Sequence, residues 1–128
     1  MSSRQTVSFL RRRLHEVGLQ PDKRHGQNFL IDLNLIELIA RSAELCERDV
    51  VLEVGTGMGS LTSLMAPDAG QIVTVEIDAG LAQIATEELE QFSNITLLQQ
   101  DALRNKNNIH DTVIETVHQA LDLSLIHI

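Results

Sequence analysis

The pattern of apolar and polar positions predicts strands that alternate with helices. Short runs rich in β-branched residues begin near positions 50, 72 and 95, and such runs are typical of strands. Apolar residues that recur at spacings of three and four predict helices over about 6–17, 33–46, 60–66, 79–92 and 109–121. Together these elements predict a βαβαβ half of an α/β sheet.

Two expectations about burial follow from the same pattern. The strand Val50–Val54 carries apolar residues on both faces, which predicts a central place in the sheet. Without a further strand beside it, we expect this strand to expose an open hydrophobic edge. The helix over 33–46 is predicted to bury one face, formed by Leu35, Ile36, Ile39, Ala43 and Cys46, which puts the single cysteine in the core.

Glycines follow the first predicted strand at alternate positions: Gly55, Gly57 and Gly59. Glycine adopts backbone angles that other residues avoid, and it lets a ligand approach the main chain closely. In open α/β sheets, ligands bind beyond the carboxyl ends of strands. A dinucleotide fingerprint would need its third glycine at Ser60, whereas G-x-G-x-G is the form associated with S-adenosylmethionine. A tight turn without a ligand is the alternative.

Three acids lie where the predicted strands could present them to such a ligand. Glu76 ends the second strand, 21 residues after Gly55, and a carboxylate there can accept hydrogen bonds from both ribose hydroxyls. Asp101 follows the third strand and could accept from the adenine amine; a turn aspartate is the alternative. Glu53, within the first strand, is predicted to face the ammonium of a methionine moiety, or else to bind nearby turn amides.

Composition and charge narrow the class of protein. The 128 residues are 43% hydrophobic, which is typical of one folded domain, and no apolar run approaches the roughly 20 residues of a membrane span. We expect a cytoplasmic protein with no membrane or metal partner. The net charge is −8, yet residues 1–24 carry six basic and two acidic side chains. This basic N-terminal helical arm predicts phosphate contacts, with a solvated helix face as the alternative; its candidates are Arg11, Arg12, Arg13, Lys23 and Arg24.

Four motifs together resemble the rRNA adenine-N6,N6-dimethyltransferase family of the small-subunit (16S) type. They are H-G-Q-N-F-L-I-D at 25–32, V-L-E-V-G-T-G-M-G-S-L-T at 51–62, V-E-I-D at 75–78 and Q-D-A-L at 100–103. The resemblance spans about 23–104, and Q-N-F-L is its most specific piece. It implies a Rossmann-like class I S-adenosylmethionine-dependent methyltransferase fold, of which only the first βαβαβ half is present. The predicted cofactor-binding residues are Gln27, Asn28, Leu30, Glu53, Gly55, Gly57, Glu76, Asp101 and Ala102.

The resemblance also implies a function. Members of the family transfer methyl groups from S-adenosylmethionine to the N6 atoms of two adjacent adenines near the 3′ end of small-subunit rRNA, so we expect the pre-ribosomal small subunit as partner. Gly26 and Ala102 favour the 16S type over the related 23S-type adenine methyltransferases. A non-catalytic RNA-binding or assembly factor with the same fold is the other alternative.

One departure from the family concerns catalysis. The family's Asn-Leu/Ile-Pro-Tyr/Phe motif is absent, since the only prolines are Pro21 and Pro67 and the chain has no tyrosine. We therefore predict no catalytic residue in this chain and expect it to be the N-terminal part of a longer reading frame, inactive by itself. The predicted organisation is the arm over 1–24, the N-terminal part of a methyltransferase domain over 25–122, and a tail of uncertain origin over 123–128.

Overall fold

The computed structural model of the chain describes residues 6–16 and 33–126, and it contains all the predicted strands and helices. The elements are α1 (Val7–Glu16), α2 (Leu33–Ser42), β1 (Val50–Val54), α3 (Ser60–Met65), β2 (Gln71–Glu76), α4 (Ala79–Glu88), β3 (Ile95–Gln99), β4 (Leu103–Asn105), β5 (Asn108–Ile109) and α5 (Asp111–Ile126). The predicted alternation of strands and helices is therefore confirmed, with bounds that shift by a few residues.

The three long strands form a parallel sheet in the order β1-β2-β3. The central strand is β2, which is buried along all but its first residue. In the described residues β1 pairs with β2 alone, so it lies at an edge of the sheet rather than at its centre, and the expected open hydrophobic edge is confirmed. Side chains of β1 remain uncovered, with Leu52 39% and Val54 66% exposed. An apolar run makes a strand suitable for burial on both faces, but the elements that pack beside the strand determine whether both faces are buried.

Helices cover both faces of this sheet. On one face, Met65 of α3 and the following Ala66 and Ala69 pack against Ile72 of β2. On the other face, Val113 of α5 packs against Val75 of β2. The parallel pairing of β1 with β2 places Val54 beside Val75, at the carboxyl ends of the strands, where the predicted site lies.

The buried face of α2 differs from the prediction. Ile36 is buried at 3% exposure, and Leu33 and Ala40 pack against the core beside it. Leu35 and Ile39, by contrast, are each 40% exposed. This helix is apolar around most of its circumference, so residue spacing could not select the face that packs.

The segment after α2 also corrects the prediction. The helix ends at Ser42, and Glu44 adopts a φ of +48°, which turns the chain away. Ala43 and Cys46 are consequently exposed rather than buried. The backbone N–H of Cys46 donates to Asp49 Oδ2 at 2.8 Å, so this cysteine belongs to a turn that leads into β1.

A small antiparallel hairpin of β4 and β5 was not predicted. Its strands have three and two residues, too few to show an alternating pattern. The signal available was the turn: Asn105 Oδ1 accepts hydrogen bonds from the N–H of Asn107 and from Asn108 Nδ2.

The last helix, α5, continues past the predicted boundary between 122 and 123 and ends at Ile126. It buries Val113 and Ala120, whereas Ile114 is 42% exposed. Among the helices of the described ranges, 6–16 and 33–126, none has the length and apolar character to cross a membrane.

Candidate functional site

The glycine-rich turn after β1 has the backbone conformation predicted from the sequence. Gly55, Gly57 and Gly59 have φ of +90°, +58° and +84°, a region that other residues rarely adopt. A Cβ atom built on Gly55 or Gly57 would meet nothing within 4 Å, so the backbone there is open to a ligand. A Cβ on Gly59 would lie 3.2 Å from the Leu89 side chain, which shows that this third glycine allows close packing after α4.

Backbone hydrogen bonds attach this turn to the end of β2. The N–H groups of Gly55 and Thr56 both donate to the Val75 carbonyl, at 2.8 and 3.2 Å. The N–H of Gly59 donates to the Thr56 carbonyl at 3.0 Å and closes the turn. The turn is thus held at the carboxyl end of the parallel strands, where α/β sheets bind ligands.

Glu76 lies beside the turn, as predicted, and is only 7% exposed. Its Oε1 accepts a hydrogen bond from the Gly57 N–H at 2.8 Å, and its Oε2 accepts one from the Asp78 N–H at 2.9 Å. Because each carboxylate oxygen has two lone pairs, both oxygens keep capacity for a further donor.

Glu53 lies behind the turn and is 9% exposed. Its Oε1 accepts hydrogen bonds from Thr62 Oγ1 at 2.5 Å and from Thr74 Oγ1 at 2.6 Å. Thr74 Oγ1 is also 2.6 Å from Thr56 Oγ1. Burial raises the pKa of the Glu53 carboxyl; hydrogen bonds from Thr62 and Thr74 oppose this increase, and the charge of Glu76 adds to it.

The threonine partners of Glu53 were not predicted from the sequence, which indicated turn amides as the alternative partners. Thr62 and Thr74 are fully buried, and Thr56 is 5% exposed. Thr62 on α3 and Thr56 in the turn follow no local pattern, and only Thr74 could have been indicated, by the register of β1 against β2. That register pairs Glu53 with Thr74.

Asp101 and Ala102 follow β3, whose Gln99 pairs with Glu76. Asp101 is exposed, and its Oδ1 accepts a hydrogen bond from the Leu103 N–H at 3.0 Å. It therefore makes the turn contact named as its alternative, while its exposure leaves it accessible to a ligand. Ala102 is buried against Val75, so its side chain packs behind the site.

Helix α1 packs beside the turn through Leu10 and Leu14, which share a core cluster with Met58 of the turn. Arg13 forms ion pairs with Glu87 of α4, with Glu16 at 2.5 Å and with Glu88 at 3.8 Å. Arg13, one of the predicted phosphate-contacting residues, thus forms ion pairs with acidic side chains of the same chain.

The remaining predicted residues differ in what the structure says of them. Arg11 and Arg12 are exposed on α1, with the Arg12 guanidinium 5.5 Å from the centroid of the Phe9 ring. Lys23 and Arg24, and the predicted cofactor contacts Gln27, Asn28 and Leu30, lie outside the described residues. The described part of the chain holds no group of three His, Cys, Asp or Glu side chains that could bind a metal ion.

The chain is similar in sequence to a known protein family. A family model described as ribosomal RNA adenine dimethylase matches residues 18–123. Ribosomal RNA small subunit methyltransferase A of Pelotomaculum thermopropionicum is 45% identical over 86 residues, which are 67% of this chain and 29% of that protein. The protein of the same name from Moorella thermoacetica is 43% identical over 91 residues, 71% of this chain and 32% of that protein.

A solved structure is also similar. The 23S rRNA methyltransferase ErmE aligns with a TM-score of 0.56 and 41% sequence identity, over 61% of this chain and 32% of that chain. The chain spans about a third of the length of each of these relatives.

Proposed function

Because the chain belongs to the ribosomal RNA adenine dimethylase family, we propose that it forms the S-adenosylmethionine-binding half of an enzyme that dimethylates adenine N6 atoms in small-subunit rRNA. The match over residues 18–123 carries this proposal and confirms the family resemblance seen in the sequence. The predicted class I methyltransferase fold is confirmed as well, by the parallel sheet with its alternating helices and by the similarity to ErmE.

The residues of the site fit S-adenosylmethionine. Gly55 and Gly57 leave open space beside the backbone, and Glu76 retains acceptor capacity next to them. Glu76 would accept hydrogen bonds from the ribose hydroxyls, and the accessible Asp101 would accept from the adenine amine. Gln27, Asn28 and Leu30 would complete the site from the N-terminal side. When bound, S-adenosylmethionine supplies a methyl group on a positively charged sulfur.

The contribution of this chain to methyl transfer is binding and orientation. Rate in such a reaction depends on holding nucleophile and methyl group in line. The chain's own residues hold the cofactor at the ends of β1, β2 and β3, whereas the motif that would hold the target adenine is absent from the sequence. Dimethylation of two adjacent adenines near the 3′ end of small-subunit rRNA is accordingly proposed for the whole protein.

Calorimetric titration of the chain with S-adenosylhomocysteine and, separately, with NAD tests the proposed cofactor. We expect S-adenosylhomocysteine to bind and NAD to give no heat of binding. Binding of NAD alone would overturn the proposal in favour of a nicotinamide-dependent oxidoreductase. A chain that bound rRNA but not S-adenosylhomocysteine would support the non-catalytic RNA-binding alternative.

The RNA substrate needs a separate test, because the names of the similar proteins refer to two different ribosomal RNAs. ErmE is a 23S rRNA methyltransferase, whereas the proteins from Pelotomaculum and Moorella are named for the small subunit. We expect the chain to bind small-subunit particles more tightly than 23S rRNA at the same salt concentration. The reverse preference would favour the 23S-type alternative.

A further inference from the structure

We infer that Thr74 is a positioning residue of the cofactor site: its hydroxyl connects buried Glu53 to Thr56 in the glycine turn and thereby holds Gly57 and Glu76 in place. This inference rests on the proposed S-adenosylmethionine site and identifies what maintains its shape. Thr74 lies in the middle of β2 with no exposed surface, so it acts through other residues rather than by touching the ligand.

The directions of the hydrogen bonds follow from the single proton on each hydroxyl. Thr74 Oγ1 donates its proton to Glu53 Oε1 at 2.6 Å. In the 2.6 Å contact with Thr56, Thr74 must therefore accept and Thr56 must donate. Thr62 Oγ1 donates to the same Glu53 oxygen. A continuous chain of hydrogen bonds thus connects the turn, β2, β1 and α3.

This series of hydrogen bonds is connected to Glu76, the proposed ribose acceptor, through the backbone between Thr56 and Gly57. Thr56 immediately precedes Gly57, whose N–H donates to Glu76 Oε1 at 2.8 Å. Loss of the Thr74 hydroxyl would leave the buried Thr56 hydroxyl without its acceptor and would remove one of the two donors to Glu53 Oε1, which is costly. The turn would have to shift to give these groups new partners, and a shift of Gly57 would weaken its hydrogen bond to Glu76.

The inference differs from the sequence-based prediction that Glu53 binds the ammonium of the methionine moiety. In the structure, Glu53 Oε1 already accepts two hydroxyl protons. If Glu53 bound the ammonium, its substitution would weaken only ligands that have an amino group. If Glu53 positions the turn, its substitution would weaken every ligand that binds through the ribose, because the turn holds Glu76.

Two ligands separate these roles: S-adenosylhomocysteine, which has both the ribose and the amino group, and 5′-methylthioadenosine, which has the ribose but no amino acid portion. We would measure the affinity of each by calorimetry for the wild type, Thr74→Val and Thr74→Ser, and check folding by thermal unfolding. We expect Thr74→Val to weaken both ligands by a similar factor, at least about fivefold. Thr74→Ser keeps the hydroxyl and should recover most of the affinity.

A second set of variants keeps the test decisive if Thr74→Val does not fold. Thr56→Val removes the other end of the same hydrogen bond and should reproduce the loss for both ligands. Glu53→Gln keeps an acceptor oxygen and should bind both ligands more tightly than Glu53→Ala.

Three outcomes would overturn the inference or its premise. Wild-type affinity in Thr74→Val or Thr56→Val would remove Thr74 as a positioning residue. A loss confined to S-adenosylhomocysteine in Glu53→Gln would assign Glu53 to the amino group instead. Failure of the wild type to bind either ligand would refute the proposed cofactor site itself.

Discussion

At the scale of single residues, Glu76 is the proposed acceptor for the ribose hydroxyls of the cofactor. It is a buried carboxylate that accepts two backbone N–H groups and keeps capacity for the ribose hydroxyls. Hydrogen bonds to a charged acceptor contribute about 1.5–3 kcal/mol, so Glu76→Ala should weaken S-adenosylhomocysteine at least about tenfold in calorimetry. Glu90→Ala, at an exposed acid after α4, is the matched control. Equal affinity in both variants would exclude Glu76 from the site.

The raised pKa of Glu53, the second buried acid, predicts that the stability of the fold depends on pH. Burial raises its pKa above the usual 4.5, hydrogen bonds from Thr62 and Thr74 lower it, and the charge of Glu76 raises it again. Because the folded state then binds the proton more tightly, the carboxyl's contribution to stability is full below about pH 4.5 and is lost as pH rises through the raised pKa.

Glu53→Gln carries no charge at any pH, so it removes this dependence. We expect its melting temperature, relative to that of the wild type, to increase as pH rises from about 4 to about 8. Thermal unfolding followed by circular dichroism measures the difference, and Glu90→Gln provides a control at an exposed acid. A difference that stayed constant or fell with rising pH would contradict the assignment.

At the scale of elements, α1 is held mainly by its buried leucines. Leu14 is 3% exposed and packs with Leu10 and Met58, and truncation of such a side chain costs about 2–5 kcal/mol. The ion pairs of Arg13 with half-exposed acids contribute about 1 kcal/mol or less each. Leu14→Ala should therefore release α1, which amide hydrogen exchange would detect as lost protection in residues 10–16 while β2 stays protected.

Leu123→Ala provides the comparison for that experiment, since Leu123 is 48% exposed. It should leave the exchange of α1 unchanged. If Leu14→Ala also left α1 protected, the cluster around Met58 would not be what holds the helix.

Elements were predictable wherever the signal is local. The glycines at 55, 57 and 59 require positive φ, and the structure confirms this conformation. The helix predicted over 79–92 is confirmed over Ala79–Glu88, where it buries Leu81, Ile84 and Ala85. The strands of the β4–β5 hairpin were too short to leave a pattern.

What the sequence could not predict depends on contacts between distant residues. The packed face of α2 was misassigned because both Ile36 and Ile39 lie on apolar faces of the same helix. The threonine partners of Glu53 were missed for a similar reason: Thr62 and Thr74 are 9 and 21 residues away. The position of Glu76 was predicted because strand ends and glycine turns in this fold have a fixed relation.

At the scale of the whole molecule, charge is divided between the arm and the body. Residues 1–24 carry a net charge of +4 and the remainder −12, and the exposed arginines on α1 are Arg11 and Arg12. Each phosphate contact contributes about 0.7–0.9 to the slope of log K against log salt. Arg11→Gln combined with Arg12→Gln should thus lower the slope of rRNA binding by about 1.4–1.8, as filter binding across a salt series would show.

A control with the same change in charge tests whether the position matters. Arg41→Gln combined with Arg104→Gln neutralises two exposed arginines outside the arm, on α2 and on β4. This pair should leave the salt dependence unchanged. An equal decrease in both double variants would make α1 ordinary surface rather than an RNA contact.

The exposed edge of the sheet is the other property of the whole molecule that has a measurable consequence. Within the described residues, β1 pairs with β2 only, and Leu52 and Val54 are exposed at this edge. An open edge with apolar side chains favours strand pairing between molecules, and lysine on an edge strand opposes it. We expect the average mass of the wild type in light scattering to increase with concentration, and Val54→Lys to suppress the increase.

Thr96→Lys is the matched variant for this prediction, because Thr96 is an exposed residue of β3, the opposite edge strand of the same sheet. It adds the same charge and should leave the association unchanged. If it suppressed association as strongly as Val54→Lys, net charge would be the cause and not the edge of β1. If neither lysine changed the scattering, molecules of this chain would associate through another surface, and the exposed residues of β1 would not be where they meet.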